Sequence, residues 1–222
     1  MRDIKLYIFD MDGTILDSTG FHTAYLRYML DNAGIHMQER EIKPYMGITL
    51  KYIVDKLVPP HMHEQTYAQA EYFMRELADD YLHRCKPIPG AMEACAAARK
   101  TGAPVLLVTN SPDFLVAKLV SGFGLDAFFD GIHPAANNDL SKRERCERLM
   151  RKHGVPPGQT LLIGDSSNDA SLAQQLHMRC ALIRNQYSWI NFEAGYDGGP
   201  VPCDVELDDI SKLFEPAARS GN

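Results

Sequence analysis

The sequence predicts an α/β protein: a doubly wound parallel sheet with an all-helical segment inserted near its start. Three observations carry this. Short apolar runs alternate with helix-like segments. The runs are apolar along their length, as strands covered on both faces are. The alternation stops between residues 17 and 86, where no convincing strand occurs.

Residues 4–9 (IKLYIF) read as the first buried strand. Helices are predicted over 21–33, closed by Gly34, over 49–57, closed by Pro59 and Pro60, and over 61–84. The tyrosines and methionines of this region (Tyr25, Tyr28, Met29, with Leu30) fall at helical spacing and read as core. KPIPG at 86–90 returns the chain to the alternating pattern. An Ala-rich helix over 91–100, closed by Gly102, precedes a strand at 104–108 (PVLLV) and a helix over 113–121. A helix over 142–153, closed by Gly154, leads to a strand at 160–163 (TLLI), a helix over 168–177 and a strand at 180–183 (CALI). The connection 184–199 holds the only tryptophan and reads as the edge of a site or a partner surface. The tail, PAARSGN, reads as frayed. The expected division is a core of residues 1–16 and 87–222, with 17–86 as a lid on two hinges.

The net charge is −6 with no basic run, which gives no support to a nucleic-acid or membrane-surface role. No apolar stretch is long enough to span a membrane, and none reads as a signal peptide. Five cysteines lie scattered without CxxC spacing, as reduced thiols of a cytoplasmic protein would.

The chemistry lies where strands end. In YIFDMDGTILDS, an apolar strand runs directly into Asp10 and Asp12, with no Lys or Arg among them. Close carboxylates repel unless a positive charge stands between them. Thr109, Asn110 and Ser111 follow PVLLV, and Gly164, Asp165, Ser166, Ser167, Asn168 and Asp169 follow TLLI. Carboxyl ends of strands are where open α/β sheets place ligands. Oxygen donors favour hard cations, and Mg²⁺ fits best because it needs only one or two protein carboxylates. The hydroxyls and amides after PVLLV suit phosphoryl oxygens. Lys142, at a helix start, is the candidate to complete the charge balance, with Lys118 and Arg143 as alternatives. The bland readings are helix-end acids for Asp165 and Asp169 and N-caps for Thr109 and Ser111, with Pro112–Asp113 as the alternative cap.

DMDGT at 10–14, VTNS at 108–111, Lys142 and GDSSND at 164–169 together resemble, in order, the four motifs of the haloacid dehalogenase-like hydrolase superfamily. The helical insert resembles its C1-type cap. The resemblance implies a Rossmann-like core and a phosphoryl-transfer site. In it Asp10 is the nucleophile and Asp12 protonates the leaving group, then activates water. Mg²⁺ is held by Asp10, the Asp12 carbonyl and Asp165. Asp169 acts behind them, through water or by holding Lys142, while Thr109 and Asn110 bind the phosphoryl group. His22 matches a histidine that many capped members carry near the hinge; a polar residue lining the interface is the alternative. Gly47 resembles a cap glycine facing the site. Phosphomutases of the family carry an arginine three residues later, where this chain has Leu50. The expected function is a Mg²⁺-dependent phosphatase of a small phosphorylated metabolite, such as phosphoglycolate or a sugar phosphate. A β-phosphoglucomutase-like mutase and an idle binding module are the alternatives. The oligomeric state, monomer or homodimer, stays open.

Overall fold

A computed structural model describes residues 3–48, 50–135, 140–193 and 199–215. In chain order the elements are β1 (Leu6–Phe9), β2 (Leu16–Asp17), α1 (Thr19–Asn32), α2 (Glu39–Ile42), α3 (Leu50–Leu57), α4 (His63–Glu76), α5 (Ala78–Arg84), β3 (Lys86–Pro87), α6 (Ala91–Lys100), β4 (Val105–Pro112), α7 (Asp113–Phe123), β5 (Gly131–Ala135), α8 (Lys142–His153), β6 (Thr160–Gly164), α9 (Ser167–Gln175), β7 (Arg179–Ile183) and β8 (Val205–Leu207).

Six strands form one sheet in the order β5-β4-β1-β6-β7-β8, and every pair is parallel. The chain adds strands on one side of β1, then crosses to the other. This reversal leaves a crevice beyond the carboxyl end of β1, where such sheets bind ligands. Strand side chains point alternately to opposite faces. Tyr7 and Phe9 therefore join one apolar layer with α6 and α7, through residues such as Cys95 and Leu115. Leu6 and Ile8 join the other, with Cys146 and Leu149 of α8 and Ala173 of α9. Burial on both faces is why these strands read as unbroken apolar runs.

Helices α1–α5 all lie between β2 and β3, which pair antiparallel, Leu16 with Pro87 and Asp17 with Lys86. These two short strands mark both ends of a region expected to hold none; two-residue strands leave no periodic signal. β5 and β8 were also illegible. β5 is a half-buried strand at the sheet edge and contains Pro134, a residue edge strands tolerate. The segment expected as one helix over 61–84 is two, broken at Leu77. No breaker residue marks the break; α4 packs on α1 whereas α5 packs on α7, so tertiary packing sets it. Tyr25, Met29 and Leu30 are buried, but Tyr28 is exposed and stacks on Phe73 with ring centroids 3.6 Å apart. All five cysteines are free. No helix among the described residues is long and apolar enough to cross a membrane. The tail 216–222 and residues 194–198 of the long connection lie outside the described residues.

Candidate active site

β1 ends at Phe9, and Asp10 N–H still bonds to the Ile163 carbonyl of β6 at 2.8 Å. The backbone then turns through Gly13, whose φ of +78° suits glycine; a Cβ there would collide with the Asp165 carboxylate. A Cβ on Gly164 would likewise strike Asp169. Two glycines thus let the strand-end carboxylates Asp10 and Asp165 converge with Asp169 of the first turn of α9. Asp10, Asp165 and Asp169 each present an oxygen within 4.8 Å of the others.

Lys142, the first residue of α8, reaches into this group. Its Nζ donates to Asp10 Oδ1 at 2.6 Å and to Asp169 Oδ1 at 2.7 Å. Ser141 places it there: its hydroxyl accepts from Glu144 N–H, and the Glu144 carboxylate accepts from Ser141 N–H, a capping box that fixes the first turn. A second capping box joins Ser166 and Asp169 at the start of α9, with Ser166 Oγ donating to Asp169 Oδ2 at 2.6 Å. Asp169 both completes the capping box of Ser166 and pairs with Lys142. The alternative cations lie elsewhere: Lys118 pairs with Asp79 and Arg143 with Glu147, at the surface.

One lysine does not balance three carboxylates. Burial pushes Asp10 up to about 7, with Lys142 opposing and the charges of Asp169 and Asp12 adding. Burial also raises Asp165 well above the carboxylate range, reinforced by Asp10 and Asp169. Among the described residues, the Asp165 carboxylate accepts from the Thr14 hydroxyl at 3.0 Å and the Trp189 N–H at 2.6 Å. The donor set is oxygen only, anionic and converging, and it fits a hard divalent cation.

Asp12 sits apart from that group. Its Oδ1 accepts from Ser18 Oγ at 2.6 Å and Tyr81 Oη at 2.9 Å, with His22 Nε2 at 3.4 Å. Its Oδ2 accepts from Ser111 Oγ at 2.7 Å and Thr109 Oγ1 at 3.3 Å. Burial alone would raise this carboxyl, yet the His22 bond and charge, with Ser18 and Ser111, hold it well below the usual range. Thr109 turns its hydroxyl to Asp12. Asn110 is exposed, and its Oδ1 accepts from Arg145 at 3.0 Å. His22 joins Asp12 rather than the acid cluster. Ser111 is not a helix cap; Pro112 holds that position.

Sequence reading missed Ser18, Tyr81 and Arg145. Ser18 is six residues from Asp12 and Tyr81 sixty-nine; no local pattern reports either. Arg145 carried a usable signal, since it stands three residues after Lys142 on the same helix. It is buried and donates to the Thr109 carbonyl of β4 at 2.8 Å and the His133 carbonyl of β5 at 3.1 Å, tying the two strands together near the site.

Fold and site together define a doubly wound α/β enzyme with a carboxylate cluster at its strand switch. The pattern of the haloacid dehalogenase-like hydrolases matches residues 7–183, and the chain belongs to that family. It is 27% identical to phosphoglycolate phosphatase 1 of Pseudomonas aeruginosa, over 83% of this chain and 71% of that protein. It is 27% identical to a phosphoglycolate phosphatase of Vibrio vulnificus, over 96% of each. Its fold matches a haloacid dehalogenase-like hydrolase from Streptococcus pneumoniae with a TM-score of 0.81 at 16% identity, covering 96% of this chain and 98% of that one. A hydrolase from Pseudomonas syringae matches with a TM-score of 0.73 at 20% identity, covering 94% and 95%.

Proposed function

We propose that this hydrolase is a Mg²⁺-dependent phosphatase of a small phosphorylated metabolite, acting through an aspartyl-phosphate at Asp10. The observation that carries the reading is the pair Asp10 and Asp12. They leave one strand end into opposite surroundings, one among acids beside Lys142 and one among hydroxyls. Relatives named phosphoglycolate phosphatases support a small ester of that kind as substrate.

Asp10 attacks phosphorus and the ester P–O bond breaks, with the leaving oxygen taking a proton from Asp12. His22, beside Asp12 Oδ1, supplies that proton when it carries one. Ionised again, Asp12 draws a proton from water, which attacks the aspartyl-phosphate and frees Asp10 and phosphate. Lys142 orients Asp10 and offsets charge on the phosphoryl oxygens. Asp10, Asp165 and the Asp12 carbonyl would hold Mg²⁺, which when bound supplies charge neutralisation and a fixed seat for phosphate. Segment 17–86 acts as a lid that excludes water and supplies specificity.

The test is phosphate release from a panel of metabolite esters, with Mg²⁺ and with chelator, joined to mass spectrometry of rapidly quenched enzyme. Release that needs Mg²⁺, with phosphate trapped on Asp10, supports the reading. An isomerised sugar phosphate in place of free phosphate points to a mutase. No turnover of any ester leaves a binding module.

A further inference from the structure

Trp189, the only tryptophan of the chain, stands outside the motifs that define the family. It opens the 3₁₀ turn Trp189–Phe192 after β7. Its N–H donates to Asp165 Oδ2 at 2.6 Å, and Ile190 N–H to the Asp165 carbonyl at 3.3 Å. Glu193, just past the turn, accepts from Ser167 N–H at 2.8 Å. The turn is therefore fastened to the strand end that presents Asp165.

The indole faces the helical segment. It meets the His22 ring edge-on with centroids 4.9 Å apart. Its Cε3 lies 3.2 Å from where a Cβ on Gly47 would stand, so a larger residue at 47 displaces the ring. Lys43 Nζ sits 5.0 Å from the ring centre of Phe192 in the same turn. His22, Lys43 and Gly47 all belong to the segment between β2 and β3. Trp189 is 6% exposed, and its Nε1 has no hydrogen-bond partner among the described residues. A buried donor without an acceptor costs free energy that water would relieve on opening. That cost lowers the net gain of the closed contacts, so closure is more easily reversed.

We propose that Trp189 is a positioning residue that couples closure of the helical segment to Asp165, its ring receiving His22 and Gly47 while its backbone N–H holds the carboxylate. The inference rests on the magnesium and lid reading above. Coupling of this kind is reciprocal: a cation at Asp165 steadies the surface on which the segment closes, and closure holds Asp165 for the cation.

Because the chain has one tryptophan, its emission reads the ring directly. Mg²⁺ alone, then Mg²⁺ with inorganic phosphate, are titrated into the wild-type protein. A shift of emission to shorter wavelength that needs both is expected. In parallel, the Mg²⁺ midpoint is measured by calorimetry, and KM and kcat by phosphate release. Trp189→Ala is expected to raise the Mg²⁺ midpoint and KM about tenfold with kcat within about twofold, and Trp189→Phe to restore the midpoint. A purely structural role would lower the melting temperature and leave the Mg²⁺ midpoint and KM unchanged. A folded Trp189→Ala protein with the wild-type Mg²⁺ midpoint, or an emission indifferent to Mg²⁺ and phosphate, overturns the proposal. If Trp189→Ala does not fold, the emission titration decides. Emission and calorimetry need no turnover, so failure to hydrolyse any ester would sink the phosphatase reading without touching this one.

Discussion

Asp10 and Asp12 are separated by one residue and buried to a similar depth, yet they occupy opposite environments. Asp10 faces two further carboxylates and one lysine, and burial raises its carboxyl. Asp12 faces four hydroxyls and an imidazole, which hold its carboxyl down. Both lie beyond the end of β1 at Phe9, where strand alternation no longer holds two residues two apart to one face. Environment, rather than residue type, divides the labour between two identical side chains.

The largest expected effect breaks that division at its source. Asp10→Asn should lower phosphate release by roughly 10⁴-fold or more with the fold intact by circular dichroism. Asp12→Asn should cost about 10²–10⁴-fold, and should leave an aspartyl-phosphate detectable on Asp10 with an activated ester. Equal losses with no trapped intermediate in the Asp12 variant would erase the distinction.

Next comes the cation of the acidic side. Lys142→Met leaves Asp10 and Asp169 facing each other without their shared partner. Removing one member of a buried charge network costs about 3–5 kcal/mol. The loss should appear in urea unfolding without Mg²⁺ and shrink when Mg²⁺ is added. An undiminished loss in Mg²⁺ would mean that no cation seats there.

The hydroxyl side should respond more weakly. Tyr81→Phe removes one donor from the Asp12 carboxylate, a hydrogen bond to a charged group worth about 1.5–3 kcal/mol. Urea unfolding measures it, and addition of Mg²⁺ should not restore it, in contrast to Lys142→Met.

The smallest effect lies outside both. Burial, with the charges of Lys152, Arg145 and His153, lowers His133 from its ordinary 6.5. Below about 6.5 the unfolded chain binds a proton that the folded protein refuses. The contribution is thus complete above that pH and is lost as pH falls. His133→Gln should flatten the decline in melting temperature on the acid side, which scanning calorimetry across about pH 5–8 measures.

Much of this was legible in the sequence for a definite reason. The central strands are covered on both faces, so 104–108 and 160–163 stand out as apolar runs; helix 142–153 carries its own stop in Gly154. Strand ends place their next residues in the crevice, so Asp10, Asp12, Thr109, Asp165 and Asp169 are found by counting past each run. What stayed hidden was contributed across long separations. Tyr81 reaches Asp12 from the last helix before β3, and Trp189 touches both Asp165 and His22 from a loop without periodicity.

By itself, the amino-acid order determined the alternating α/β architecture and which acids stand at the strand ends, because hydrophobic runs and local caps act over a few residues. Only the tertiary structure decided that Asp10 shares Lys142 with Asp169 while Asp12 is wrapped in hydroxyls. Those surroundings come from segments far apart in the chain, and electrostatics responds to distance in space.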